Sequence, residues 1–373
     1  MQADHVTLRE ARPTPAEVAR DTKNWKPALG RIIAEHNWKH AKKAKGVSKR
    51  TEEERRDGLF RYFNWLREAK FKFAPYNLGG RHIEFLMRYV TAAPGVEEEL
   101  KERGSKMQPR TTPLEASTIQ SMLSTLRTFC QWIDKPGMVL PATRYVDKKL
   151  VERSGVASRD RTWSGAKVDV ADVVDKVTQA DKVVGLQLEA MLAFGLRRKE
   201  AVMFAPALAC VPAYALPEGE TSTPYLCFLK VKQGTKGGRL RYVALRNDLQ
   251  HDVYQRALRF APHPGTHIGY PGKTLKQALD KFSNTLRKCG VTTKDLGVTP
   301  HGLRHEFASD VYFEITDTLP PVKGGAPNLD PVVMEAAYLE VARQLGHGRS
   351  RITQAYLGRL TTSRKEEAAA RRT

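Results

Sequence analysis

Ile119, Met122, Leu123, Leu126, Phe129, Cys130 and Ile133 recur at intervals of three and four, the spacing of one face of an α-helix. A stripe of that width is stable only when other helices cover it, so the surrounding chain is expected to form a helical domain. Three helix-start signals agree. Thr14, Thr51 and Thr112 are each followed three residues later by Glu, the pattern in which the Thr side chain and the Glu side chain satisfy each other's backbone N–H. In the first and third, Pro15 and Pro113 stand at the first helical position, where a missing N–H costs nothing. The spacing predicts a helical domain over residues 14–135, preceded by a short arm, residues 1–13.

The next segment, 136–166, is rich in Pro, Gly, Ser and charge, the composition of a linker. Lys and Arg outnumber Asp and Glu by 62 to 41, a formal net charge of +21, which favours a polyanionic partner, nucleic acid first. Within the linker, Lys148, Lys149, Arg153, Arg159 and Arg161 are candidate contacts to DNA phosphates, and simple solvation explains the same charges equally well. Beyond it the periodicity changes. Leu186 to Leu196 is an apolar helical run, whereas residues 225–231 and 239–246 are β-branched and aromatic runs around QGTKGG, a hairpin signal. Helical spacing returns after Lys273, and Pro and Gly break it over 314–331, a long loop. The whole is expected to be mainly α with a small β-hairpin, the second domain spanning 167–373 with a C-terminal tail.

Several chemistries are disfavoured by spacing. The N-terminal residues are charged where a signal peptide needs an apolar stretch, and no run is long enough to span a bilayer, so a cytoplasmic, nucleoid-associated protein is expected, with no membrane partner. Cys130, Cys210, Cys227 and Cys289 contain no CxxC pair, and reduced thiols are expected. His301 and His305, like His36 and His40, stand four apart as zinc ligands can, but neither pair has a third ligand segment in view. HEFAS at 305–309 is not HExxH, and GKT at 272–274 lacks the upstream Gly of a P-loop.

Four segments place polar residues at the edges of apolar elements: GLRRKE (195–200), QGTKGGRLRYVAL (233–245), HGLRHEFAS (301–309) and LGHGRSRITQAYLG (345–358). Together, in this order, they resemble the tyrosine recombinase family of phage-integrase type, over most of residues 166–360. The resemblance implies a helical core-binding domain followed by a mixed α+β catalytic domain. It makes Arg197 and Arg304 the catalytic arginines, Glu200 the acidic helper, His301 and His347 the active-site histidines and Tyr356 the nucleophile. The family's lysine lies on a hairpin eight residues before a Pro of the second strand; here Ala244 holds the Pro position and the count reaches Lys236, with Lys230 and Lys232 nearby on the same ribbon. Arg304 and His347 lie 43 positions apart, roughly twenty more than is usual for the family, and the surplus falls in the 314–331 loop.

These residue types suit phosphoryl transfer. Attack on a phosphodiester builds negative charge on the non-bridging oxygens, which two arginines can clamp. A phenol of ordinary pKa near ~10 needs its proton removed as it attacks; His301 is the better base by this reading, with His347 on the phosphate. Lys236 can protonate the departing 5′ oxygen. The resemblance implies a 3′-phosphotyrosine that conserves bond energy, so no cofactor is required. It also implies double-stranded DNA as substrate and a homo-tetramer on two duplexes, with DNA-bending accessory proteins as further partners. Two other readings fit a similar sequence: a type IB topoisomerase, and an inactive DNA-binding regulator of integrase descent. Chemically competent residues at every catalytic position argue against the second. The tail after Tyr356 is expected either to dock on a neighbouring subunit or to fray.

Overall fold

The computed structural model describes residues 13–40, 45–218, 225–325 and 329–359. The N-terminal arm up to residue 12 and the tail from 360 lie outside the described residues, as do 326–328 of the long loop. The chain divides into two units, Met1–Arg153 and Ser154–Thr373. The described residues are mainly helical with one small sheet. Among the described residues, no helix is long and apolar enough to cross a membrane.

The first unit contains α1 (Pro15–Lys23), α2 (Trp25–His36), α3 (Lys49–Glu68), α4 (Gly80–Val90), α5 (Val96–Glu102), α6 (Ala116–Trp132) and the single turn α7 (Lys148–Val151). The α6 stripe is buried as its spacing predicts, from Ile119 to Cys130. It packs on α3, in one core with Leu59, Phe63 and Leu66 of α3 and Ile83 and Leu86 of α4, and Phe129 meets Phe63 edge-on at 5.4 Å. Each such fully buried side chain contributes about 1.5–3 kcal/mol. The cap signals fare unequally. Thr14 caps α1 with Glu17 reciprocating, as the pattern requires. At α3 the cap is Ser48, whose hydroxyl accepts from the Thr51 N–H; the helix therefore starts earlier than the Thr signal indicates. At Thr112 no helix begins, because Leu114 donates its N–H to the Val90 carbonyl and α6 waits until Ala116.

The second unit contains α8 (Val170–Ala180), α9 (Lys182–Phe194), α10 (Arg198–Val202), strands β1 (Cys210–Pro212), β2 (Cys227–Val231) and β3 (Arg241–Ala244), then α11 (Asp248–Phe260), α12 (Leu275–Lys288), α13 (Gly302–Thr316), α14 (Pro331–Gln344) and the one-turn α15 (Gln354–Leu357). The sheet is antiparallel in the order β1-β2-β3, with Val231 opposite Arg241 and Phe228 opposite Ala244. The hairpin is the one anticipated; β1 is an addition, too short to leave a pattern. Pairing of β1 with β2 brings Cys210 and Cys227 together as a disulfide, Cα to Cα 6.4 Å, so the expectation of four reduced thiols is corrected to two, Cys130 and Cys289, both buried.

Segment 136–166 contributes to both units. Ala142 and Val151 lie in the first core and Trp163 in the second. The centre of the second unit is α13, whose residues Gly302 to Ser309 are all buried. Burying Arg304, His305 and Glu306 inside an apolar core is costly unless each is paired, and their partners define the site.

Candidate active site

Gly195 ends α9 in the left-handed conformation, φ 57°. A Cβ there would lie 2.5 Å from the Phe307 ring, so only glycine lets α13 approach this turn. The turn sets Arg197 at the N-cap of α10. Its backbone N–H donates to Glu200 Oε2 at 2.8 Å and its Nη1 to Oε1 at 2.7 Å. Glu200 is fully buried. Arg304, also without exposed surface, is held by neutral acceptors: Nη1 donates to the Gly195 carbonyl and Nη2 to the Leu345 carbonyl at 2.5 Å, while Nε donates to Tyr356 Oη at 3.3 Å.

The LGH motif is a helix stop. The Gly346 N–H bonds the Arg343 carbonyl and the His347 N–H the Ala342 carbonyl, with Gly346 at φ 69°, the left-handed closure that leaves the following residue outside the helix. That places His347 Nε2 3.3 Å from Tyr356 Oη. Tyr356, on α15, is 8% exposed. His301 and His305 also turn toward it, with ring centroids 6.1 and 4.7 Å from the tyrosine ring. The histidine at hydrogen-bonding distance from the phenol is thus His347, where the sequence reading favours His301. At the other end of the motif, Gly358 packs so tightly that a Cβ would lie 3.0 Å from the Val322 nitrogen. The long loop therefore touches the turn that carries Tyr356. Its Lys323 reaches Ser164 Oγ at 2.9 Å and Glu306 Oε1 at 3.2 Å.

The electrostatics follow from this packing. Burial pushes the Glu200 carboxyl up, but Arg241, Arg304 and the Arg197 N–H outweigh it and hold it below the usual range. For His347, burial together with the charges of Arg304, Arg197 and Arg241 pulls the imidazole down to about 4. His305 falls to about 4 through burial, His301 and Arg161. His301 is exposed on one side, yet lost hydration, Arg304, Arg197 and Arg161 lower it to about 4 as well. All three are neutral at pH 7 and can accept a proton.

Lys236 stands exposed in the hairpin turn. Gly234, at φ 76°, lies against α10, where a Cβ would fall 2.7 Å from the Lys199 carbonyl and 3.0 Å from Glu200 Cα; this seats the loop carrying Lys236 beside Glu200. The five linker cations separate. Lys148 and Arg153 line an open polar groove of about 1300 Å³ in the first unit, with Arg50, Arg61 and Arg127. Lys149 is exposed on the same turn, and Arg159 and Arg161 are exposed in the second unit, Arg161 close enough to act on His301. Gly302 accounts for that last placement: a Cβ would lie 2.7 Å from the Arg161 carbonyl. Sequence reasoning passed over Arg241, which is 3% exposed and donates to Glu200 Oε2 from Nη1 at 3.1 Å and from Nη2 at 2.9 Å. Beside Lys230, Lys232, Lys236 and Arg239 on the same ribbon, nothing in the sequence singles it out; strand register alone turns it inward.

Comparison with known proteins adds a family. No curated protein matches. Among solved structures, the chain is similar to the XerH site-specific recombinase bound to a palindromic difH substrate in a post-cleavage complex, at 13% identity and TM-score 0.47 over 95% of this chain and 97% of that one. It is likewise similar to a lambda integrase (75–356) dimer bound to a COC′ core site, at 14% identity and TM-score 0.45 over 90% and 94%. The integrase family model matches residues 155–310, a stretch that carries Arg197, Glu200, Lys236, His301 and Arg304 and stops before His347 and Tyr356. That match falls within the second unit and covers less than half of the chain, so the second unit is similar to the integrase family over those residues.

Proposed function

We propose that this chain cleaves and rejoins DNA through a 3′-phosphotyrosine formed on Tyr356. One observation carries the reading: the Tyr356 hydroxyl lies 3.3 Å from both Arg304 Nε and His347 Nε2, between a fixed cation and a neutral base. Tyr356 Oη attacks the phosphorus and its proton passes to His347, the acceptor already in reach. Arg197 and Arg304 stabilise charge on the non-bridging oxygens, and His301, on the rim beside them, bonds the same phosphate. Lys236 gives a proton to the departing 5′ oxygen. Reversal with a different strand's 5′ hydroxyl rejoins the backbone, and the bond energy kept in the phosphotyrosine makes an external energy source unnecessary.

The substrate is double-stranded DNA, supported by the net charge of +21 and by the groove of the first unit, where hydroxyl and amide side chains (Ser117, Ser121, Gln120) alternate with arginines. Phosphate contacts there fix position, and groups of this kind read base edges. The family supports integration or excision of a mobile element by a homo-tetramer on two duplexes, with accessory DNA-bending partners, in the cytoplasm. Tyr356→Phe tests the chemistry directly: it should bind duplexes drawn from the DNA flanking its own gene as tightly as the unmodified chain and form no adduct that survives denaturant. An adduct with the Phe variant would remove Tyr356 from the mechanism.

A further inference from the structure

The recombinase reading gives Arg197 and Arg304 to the phosphate and leaves a third inward guanidinium without a part. Arg241 begins β3, and its side chain is almost wholly enclosed. It touches two of the other segments that carry the site, GLRRKE and LGH. Both terminal nitrogens reach Glu200 Oε2, Nη2 lies 3.4 Å from the Gly195 carbonyl that also accepts from Arg304, and its stem runs under the LGH turn, where a Cβ on Gly346 would lie 2.8 Å from Arg241 Cδ.

The distribution of charge around Glu200 is uneven. Oε1 pairs with Arg197 at 2.7 Å and Oε2 with Arg241 at 2.9 Å, whereas Arg304 stays 3.8 Å away and spends its N–H groups on two carbonyls and the phenol. Carbonyls fix a guanidinium without neutralising it. In a site of low dielectric, a carboxylate oxygen lacking its own cation would draw on the nearest remaining one, and that is Arg304.

We propose that Arg241 is a positioning residue for phosphate activation: by occupying Glu200 Oε2 it keeps the carboxylate from Arg304, whose charge then remains available to the scissile phosphate. The inference rests on the recombinase reading and deepens it. Arg241 itself touches no reacting atom.

The test uses the full chain and nicked suicide duplexes from the DNA flanking its own gene, scoring the rate of covalent adduct and, separately, DNA affinity. Arg241→Gln should slow adduct formation by about 10²-fold, the scale of one lost charge-stabilising donor, with affinity unchanged. Arg241→Lys, which keeps the charge, should recover most of that loss. The decisive variant is Arg241→Gln combined with Glu200→Gln. With the carboxylate gone there is nothing to compete for Arg304, so the double variant should be faster than Arg241→Gln alone. A purely structural Arg241 predicts the reverse, a double variant slower than either single one, and that result overturns the proposal, as does a normal rate for Arg241→Gln. If Arg241→Gln does not fold, Arg241→Met, which also removes the charge, takes its place in both the single and the double variant. An unmodified chain that forms no adduct with any of these duplexes overturns the recombinase reading itself, and this inference with it.

Discussion

Both units gather arginines, but they hold them differently. In the second unit, Arg304 and Arg241 are enclosed and each terminal nitrogen has a partner. In the groove of the first unit, Arg50 pairs with Glu54 on the helix surface, Lys148 pairs loosely with Glu152 at 3.5 Å, and Arg153 donates to the Ser117 carbonyl and Ser121 Oγ from an exposed position. Fixed cations are preorganised for charge that develops at one point, since no reorganisation is needed during reaction. Exposed cations on flexible stems suit a polyanion whose phosphates need only be met approximately. The difference predicts that substitutions in the second unit change rate, whereas those in the first change affinity.

The largest expected effect tests a second-unit cation that is not enclosed. Lys236 stands exposed on its hairpin turn, and on the proposed mechanism it is the proton donor to the leaving group, a role that needs mobility. Lys236→Ala should slow cleavage by about 10²–10⁴, the worth of positioned acid catalysis. A substrate with sulfur at the 5′ bridging position should recover most of that loss, because a thiolate leaves without a proton. Arg197→Ala and Arg304→Ala should gain nothing from sulfur, since the proposed mechanism directs their charge at the non-bridging oxygens. Lys232→Ala is the control and should cost little on either substrate; rescue of Lys232→Ala in place of Lys236→Ala would shift the register of the assignment.

A middle-sized effect comes from pH. Among the described residues, His301, His305 and His347 of the second unit and His82 of the first are held down to about 4. Their folded-state pKa lies below the unfolded value of about 6.5. The unfolded chain therefore binds protons that the folded one refuses, and the stability contributed by the neutral rings is fully present above pH ~6.5 and lost as pH falls toward ~4. With three such rings against one, the second unit should loosen first on acidification, which hydrogen exchange resolved by segment can read. Adduct formation should stay level from pH 7 to ~5 and fall about tenfold per unit below ~4, as the base becomes protonated. Equal loss of protection in both units would break the contrast.

How far the sequence foretold this molecule depended on whether a feature is local. The α6 stripe was legible because its seven positions repeat, and the Thr14 cap because donor and acceptor lie three residues apart. The site motifs were legible because GLRRKE, HGLRH and LGH each act through their own short turn: a capping pair, a helix start, a left-handed stop. Nothing local foretold β1, whose three residues form a strand only because β2 lies alongside, nor the Cys210–Cys227 pairing that depends on it. Arg241 was hidden among exposed basic neighbours of the same ribbon. The contact of Val322 with Gly358 was invisible for a related reason, since it joins a loop to a turn 36 positions away.

The smallest effect per residue belongs to the groove of the first unit. Arg153 and Lys148 are the two cations that segment 136–166 contributes to its lining, and neither lies in the second unit with the Tyr356 site. If each meets one phosphate, Lys148→Ala with Arg153→Ala should flatten the slope of log K against log salt by roughly two units and weaken binding at physiological salt by about tenfold or somewhat more. The loss should be uniform across sequences, because phosphates carry no base identity. Cleavage measured at saturating protein should be unchanged, since the cations proposed to stabilise the transition state, Arg197 and Arg304, are untouched. Lys149→Ala, on the same turn but outside the groove lining, separates contact from mere net charge: an equal change of slope for Lys149→Ala would mean that the charge of the segment matters and the groove does not. A fall in the saturated rate would break the division between units, because a grip that alters chemistry is no longer only a grip.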